Sequence, residues 1–119
     1  MKFKKPFFLA SNNNGAQKKK EQLIKKYSDI AISDADVIVV LGGDGFMLEA
    51  IKKQMDKNLP LFGLNYGSVG FLMNSENNDD LIKRINLSQS IKISPLSMKA
   101  KCYDGNDYEA IAINEVSLL

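Results

Sequence analysis

The stretch VVLGGDGFML, residues 39–48, sets three glycines and one aspartate between two apolar runs. Glycine tolerates φ > 0 and lets phosphate oxygens come close to backbone N–H groups. A tight hairpin and a phosphate cradle both use such a sequence, and the downstream residues decide between them. Met47, Leu48, Ile51 and Met55 recur at three- and four-residue spacing, which predicts a helix. A hairpin needs strands on both sides, so it loses. Strand, glycines and helix in that order bring unsatisfied N–H groups and the positive end of a helix to one point, which suits an anion. The motif is neither of the two common phosphate loops: GxxxxGK[ST] is absent, and GGDGFML does not fit GxGxxG.

Asp44 within this motif has two readings that the residues leave open. It is well placed to cap a helix starting near Gly45. Alternatively it does chemistry. A carboxylate at a phosphate site repels phosphate unless a cation or an acceptor hydroxyl stands between them. That implies Mg²⁺ nearby, or an alcohol whose proton Asp44 accepts, and both belong to phosphoryl transfer. The chain has no histidine. Ser-His-Asp triads, Cys-His pairs and histidine-rich metal sites are therefore excluded. Acid–base chemistry falls to Asp, Glu, Lys, Tyr or Cys.

The elements that must position these residues follow from the hydrophobic pattern. Pro6–Ala10, PFFLA, reads as a first strand, followed by the polar SNNNG. Residues 16–30 read as a helix with Leu23, Ile24 and Tyr27 on one face; Lys18, Lys19, Lys20, Lys25 and Lys26 are its solvated side. Asp36 introduces VIVVL at 37–41, a continuous apolar run of the kind found when both faces of a parallel strand are covered. LPLFGL at 59–64 is a third strand, GLNYGSVG a loop out of it, and residues 79–85 a further helix. That loop is either a second nucleotide loop or a plain turn. From Ile91 the texture changes: ISPLSMKAKCY and YEAIAINEVSLL flank DGND, a hairpin signal.

The fold expected is therefore α/β, a Rossmann-like parallel sheet with flanking helices over residues 1–90. The first antiparallel strands of a β-rich second domain are expected over residues 91–119. The last two residues, Leu118 and Leu119, lie in an apolar strand without a polar cap, so a truncated front part of a larger protein is the expectation.

Composition bounds the partners. With 16 basic and 14 acidic residues among 119, the net charge of +2 gives no electrostatic case for nucleic acid. No apolar run approaches the roughly 20 residues of a membrane span. The apolar run near the N-terminus is too short for a signal peptide. The single cysteine, Cys102, excludes an internal disulfide and fits the reducing cytoplasm.

Three motifs in order carry a resemblance: GGDG after an apolar strand, GLNYGSVGFLMN at 63–74, and INEVSLL at 113–119. Together they resemble the NAD kinases over nearly the whole chain. GGDG alone is shared with phosphofructokinases and with the diacylglycerol and sphingosine lipid kinases; GFL and the later Asn-Glu narrow it. The resemblance implies phosphoryl transfer from ATP, or in some members polyphosphate, to the 2′-hydroxyl of NAD, giving NADP, assisted by Mg²⁺ or another divalent cation. It implies a homodimer or homotetramer when complete. Residue by residue, Asp44 matches the catalytic aspartate. Gly42, Gly43 and Gly45 form the glycine motif, with Gly45 against the dinucleotide. Phe71 matches an aromatic lining the adenine pocket, and Asn114 and Glu115 match the pair that binds the dinucleotide.

Each of these has a plainer alternative. Phe71 is also a simple buried aromatic beside Leu72 and Met73. On a regular strand Asn114 and Glu115 face opposite sides, so either the strand bulges there or one of them serves another role. Two residues depart from the family pattern. Phe46 stands where a threonine is frequent, and Tyr66 where a basic or small polar residue is. The rival functions are a lipid kinase, to which Glu49 lends an acidic position, and a non-catalytic nucleotide-binding fragment. Because the resemblance places a further glycine-rich motif after these residues, the chain alone is expected to be inactive.

Overall fold

The structure is a computed structural model and describes residues 2–66, 72–75, 80–93 and 116–119. It contains five strands and three α-helices in those residues: β1 (Pro6–Ala10), α1 (Asn14–Tyr27), β2 (Val37–Gly42), α2 (Asp44–Gln54), β3 (Leu61–Asn65), α3 (Leu81–Leu87), β4 (Ile91–Ile93) and β5 (Val116–Leu118). The strands form one sheet in the order β1-β2-β3-β5-β4. β1, β2 and β3 are parallel to one another, β5 is parallel to β3, and β4 runs antiparallel to β5. The expected α/β fold is what forms. The antiparallel pairing expected after Ile91 is present in β4 and β5, and both strands complete the first sheet. The DGND hairpin and the rest of 94–115 lie outside the described residues.

β2 is the centre of the molecule. Val37 through Leu41 are each 0 % exposed, as a continuous apolar run between two covered faces requires. Alternation divides its side chains between two cores. Val37, Val39 and Leu41 pack with Phe8, Phe62 and Leu64 beneath α1 (Ala16, Leu23) and α3 (Leu81, Ile85). Ile38 and Val40 pack with Leu61 and Leu118 beneath α2 (Met47, Ala50, Ile51). The steps β1 to β2 and β2 to β3 go the same way across the sheet, yet their helices cover opposite faces. The two crossovers therefore have opposite hands, and one of them departs from the right-handed rule.

Local chemistry sets the element ends. Asn13 Oδ1 accepts from the Ala16 N–H and caps α1, two residues earlier than the hydrophobic pattern alone places the start. α1 stops at Tyr27 because Ser28 turns to φ 85°, short of the residue 30 expected. α2 passes through a short 3₁₀ turn at Met55–Lys57 to Asn58, whose φ of 57° is the left-handed conformation common beyond helix ends. Asp80 caps α3 by accepting from the Ile82 and Lys83 N–H groups. Asp36, just before β2, accepts from the Lys4 and Lys5 N–H groups at 2.8 and 2.9 Å and fixes the start of β1 beside it. Among the described residues, no helix is long and apolar enough to cross a membrane.

Candidate functional site

The carboxyl-terminal ends of β1, β2 and β3 meet in one rim, the place where open parallel sheets take their ligands. Backbone bonds stitch it together: the Ser11 N–H donates to Leu41 O at 2.9 Å and the Tyr66 N–H to Gly42 O at 2.8 Å. Residues 11–13 are held by the Gln17 side chain, whose Nε2 donates to Ser11 O at 2.8 Å. The Tyr66 ring lies over Gly15 in the first turn of α1; a Cβ at Gly15 would stand 3.4 Å from Tyr66 Cδ1.

Gly43 is the N-cap of α2 and supplies no side-chain cap. The N–H groups of the first turn, from Asp44 to Phe46, have no acceptor within the helix by geometry. None of Gly42, Gly43 or Gly45 has positive φ, so a left-handed backbone is not what glycine provides here. Gly43 is extended, at φ −117° and ψ −173°. What glycine provides is space: a Cβ added at Gly43 or at Gly45 would meet nothing within 4 Å. Gly42 differs. It is buried, and its missing side chain leaves room for the Phe46 ring. The residue that departs from the family pattern at 46 thus packs back on the motif's first glycine.

Asp44 is the first residue of α2 rather than its cap. Its Oδ1 accepts from the Leu72 N–H at 3.0 Å, across the rim and 28 residues away in sequence. Of the two readings left open above, side-chain capping is not the arrangement seen. The carboxylate is half-buried, at the positive end of α2 where negative charge is favoured, and beside the two open glycines.

Sequence reasoning missed one polar residue here. Asn65 pairs in register with Gly42 at the end of β3. Its Oδ1 is buried without a hydrogen-bond partner among the described residues, an acceptor that a ligand donor would satisfy. Its signal in the sequence was its place in GLNYGSVGFLMN, at the end of the third strand. Among the described residues, no group of three or more His, Cys, Asp or Glu side chains comes together to hold a metal ion. Among the described residues, Asp44 is the carboxylate that would neighbour a divalent ion carried by substrate phosphates.

The structure therefore brings Asp44 together with Gly42, Gly43 and Gly45. Phe71, Asn114 and Glu115 lie outside the described residues. A cavity of about 270 Å³ sits at the opposite end of the sheet, lined by Lys2, Phe3, Pro60, Ser88 and Ser90 among others. Its neighbouring Asn86 is occupied with both backbone groups of Phe3, and Ser88 Oγ donates to Ile85 O.

Residues 2–87 match the family described as ATP-NAD kinase N-terminal domain. The NAD kinase of Caulobacter vibrioides is 46 % identical over 112 residues, covering 94 % of this chain and 43 % of that protein. The NAD kinase of Hyphomonas neptunium is 45 % identical over 112 residues, covering 94 % and 44 %. That of Xylella fastidiosa strain Temecula1 is 44 % identical, covering 94 % and 43 %. The chain spans less than half the length of these curated relatives. No solved structure gives a significant match.

Proposed function

Because the chain belongs to the NAD kinase family, we propose that the protein transfers the γ-phosphoryl group of ATP to the 2′-hydroxyl of the adenosine ribose of NAD, giving NADP and ADP. One observation carries the reading. The Asp44 carboxylate stands at the first turn of α2, held from across the rim by the Leu72 N–H, next to two glycines with open space above them.

The steps follow from those residues. The open faces of Gly43 and Gly45 let a phosphate or ribose approach the backbone, and the first-turn N–H groups donate to its oxygens. Asp44 accepts the hydrogen of the ribose hydroxyl and aims its oxygen at phosphorus. The bond from phosphorus to the leaving ADP oxygen breaks as the new O–P bond forms, and the proton passes to the carboxylate and then to water. A carboxylate is a weak base for an alcohol, but a loose transition state needs little early proton transfer, so orientation is its main contribution. A divalent cation such as Mg²⁺ bound with the phosphates would offset their repulsion of Asp44 and neutralise charge on the leaving group. Asn65 Oδ1 is available to a donor of the dinucleotide.

Phe71, Asn114 and Glu115 are proposed to complete the dinucleotide site, with residues 94–115 contributing to a β-rich unit. The cytoplasm is the proposed compartment, in keeping with a single cysteine. Homodimer or homotetramer assembly rests on the family resemblance alone. The 119 residues by themselves are proposed to be inactive, since relatives of more than twice the length carry the activity in their names.

The test is an assay of the full-length protein with ATP, or polyphosphate, and NAD, set beside diacylglycerol and sphingosine as acceptors. NADP formation that falls at least about a hundredfold in Asp44→Asn, with the fold kept, supports the reading. A lipid product with no NADP, or near-normal NADP formation by Asp44→Asn, refutes it.

A further inference from the structure

Leu72 presents its N–H to Asp44, and its side chain packs on the core beneath α2. The hydrogen-bonded anchor lies two residues on. Asn74 forms an isolated parallel bridge with Leu64, its N–H donating to Gly63 O at 2.9 Å and its carbonyl accepting from the Asn65 N–H at 2.9 Å. Its side chain adds a second pair: Nδ2 donates to Gly63 O at 3.0 Å and to Leu119 O at 3.2 Å. The carboxamide thus ties residues 72–75 to β3 and to the end of β5 at once.

The neighbours on either side cooperate. Gly63 is the residue that allows Met73 to lie flat on β3: a Cβ there would come within 2.7 Å of Met73 Sδ and 2.7 Å of Met47 Cε. Arg84, stacked on the Phe62 ring at 5.6 Å, donates from Nη2 to Ser75 O at 2.7 Å. With residues 73, 74 and 75 fixed by three separate contacts, the Leu72 N–H is delivered to Asp44 Oδ1 with little freedom.

We infer that Asn74 is a positioning residue for the reaction: its side-chain amide holds the 72–75 segment in the register that keeps the Leu72 N–H on the Asp44 carboxylate. The inference rests on the phosphoryl-transfer reading of the site. Asn74 need not touch substrate. It acts through Leu72 on the orientation of the carboxylate, and an orientation error of about 1 Å costs turnover far more than it costs binding. A purely structural role, fastening β5 to β3, would lower stability and leave the carboxylate's geometry alone.

The experiment uses the full-length protein, ATP and NAD. Asn74→Ala is expected to lower kcat between about ten- and a hundredfold while the KM for NAD stays within about threefold. Asn74→Ser, which keeps one donor, is expected to fall between that variant and the wild type, and it serves if Asn74→Ala does not fold. A second readout does not depend on activity. The Leu72 amide proton shift should change on Asp44→Asn in the wild-type background, change less in the Asn74→Ser background and not change in the Asn74→Ala background. A kcat within twofold of wild type, or a Leu72 amide as sensitive to Asp44→Asn in those backgrounds as in the wild type, overturns the inference. Absence of NADP formation by the wild-type protein would instead overturn the proposed function, and the amide measurement would still decide whether Asn74 holds Asp44.

Discussion

The Phe46 ring occupies the space a side chain at residue 42 would need. A Cβ built on Gly42 comes within 2.9 Å of Phe46 Cδ2 and 3.2 Å of Phe46 Cβ. The last residue of β2 and the first turn of α2 are thereby packed directly on one another.

Gly42→Ala should therefore destabilise the protein by about 1–3 kcal/mol, the usual cost of overpacking a site whose neighbour is part of the helix itself. In a Phe46→Ala background most of that cost should vanish. Urea unfolding of the four proteins in this cycle measures the coupling; equal costs of Gly42→Ala in both backgrounds would show that the ring is not the obstacle.

Gly43 and Gly45 should behave in the opposite manner. Neither has positive φ and neither has a neighbour that a methyl group would strike. Gly45→Ala sits in the first turn of α2 and should leave stability unchanged or raise it by up to about 1 kcal/mol through helix propensity. Either substitution should lower kcat/KM for NADP formation at least about tenfold if the open space above these glycines takes the substrate as proposed. Thermal melts beside the kinase assay separate the two effects, and unchanged kinetics in both variants would remove these glycines from the site.

Asp80 supplies a pH test away from the rim. Its carboxyl is held below the ordinary value of 3.8, first by the Lys83 N–H; burial opposes this next, and the Tyr27 hydroxyl, the Ile82 N–H and the charge of Lys26 add to the lowering. A folded value below the unfolded one means stability that is present above about pH 4 and lost as pH falls through the folded value. Asp80→Asn keeps a capping oxygen but not the charge. The wild type should be more stable than Asp80→Asn at pH 6, with the difference shrinking as pH falls below about 4. A difference that stays constant across this range would contradict the assignment.

What the sequence made legible follows one rule: signals carried by near neighbours could be read, and signals carried by tertiary geometry could not. VIVVL announced β2 because a strand covered on both faces cannot alternate. Met47 and Ile51 announced α2 by period. Asp44 was visible as a chemical residue, but its partner was not, since a contact from a side chain to a loop N–H 28 residues away leaves no periodic trace. The positive-φ explanation of the glycines was wrong for Gly42, Gly43 and Gly45, because empty space and strained backbone select the same residue type. The end of α1 was overrun because Ser28, not glycine, takes the positive φ. That α1 and α2 cover opposite faces depends on the hand of each crossover, which no local pattern encodes.

With strands on both edges and helices over both faces, the amides of Val37–Leu41 meet deuterium only when the whole sheet opens. Their exchange rates are then a gauge of global stability, read from the same backbone that runs on through Gly42 to Gly43. Any molecule that settles on Gly43 and favours the closed sheet must slow that exchange in proportion to its affinity, so labelling this strand weighs nucleotides without any turnover being observed.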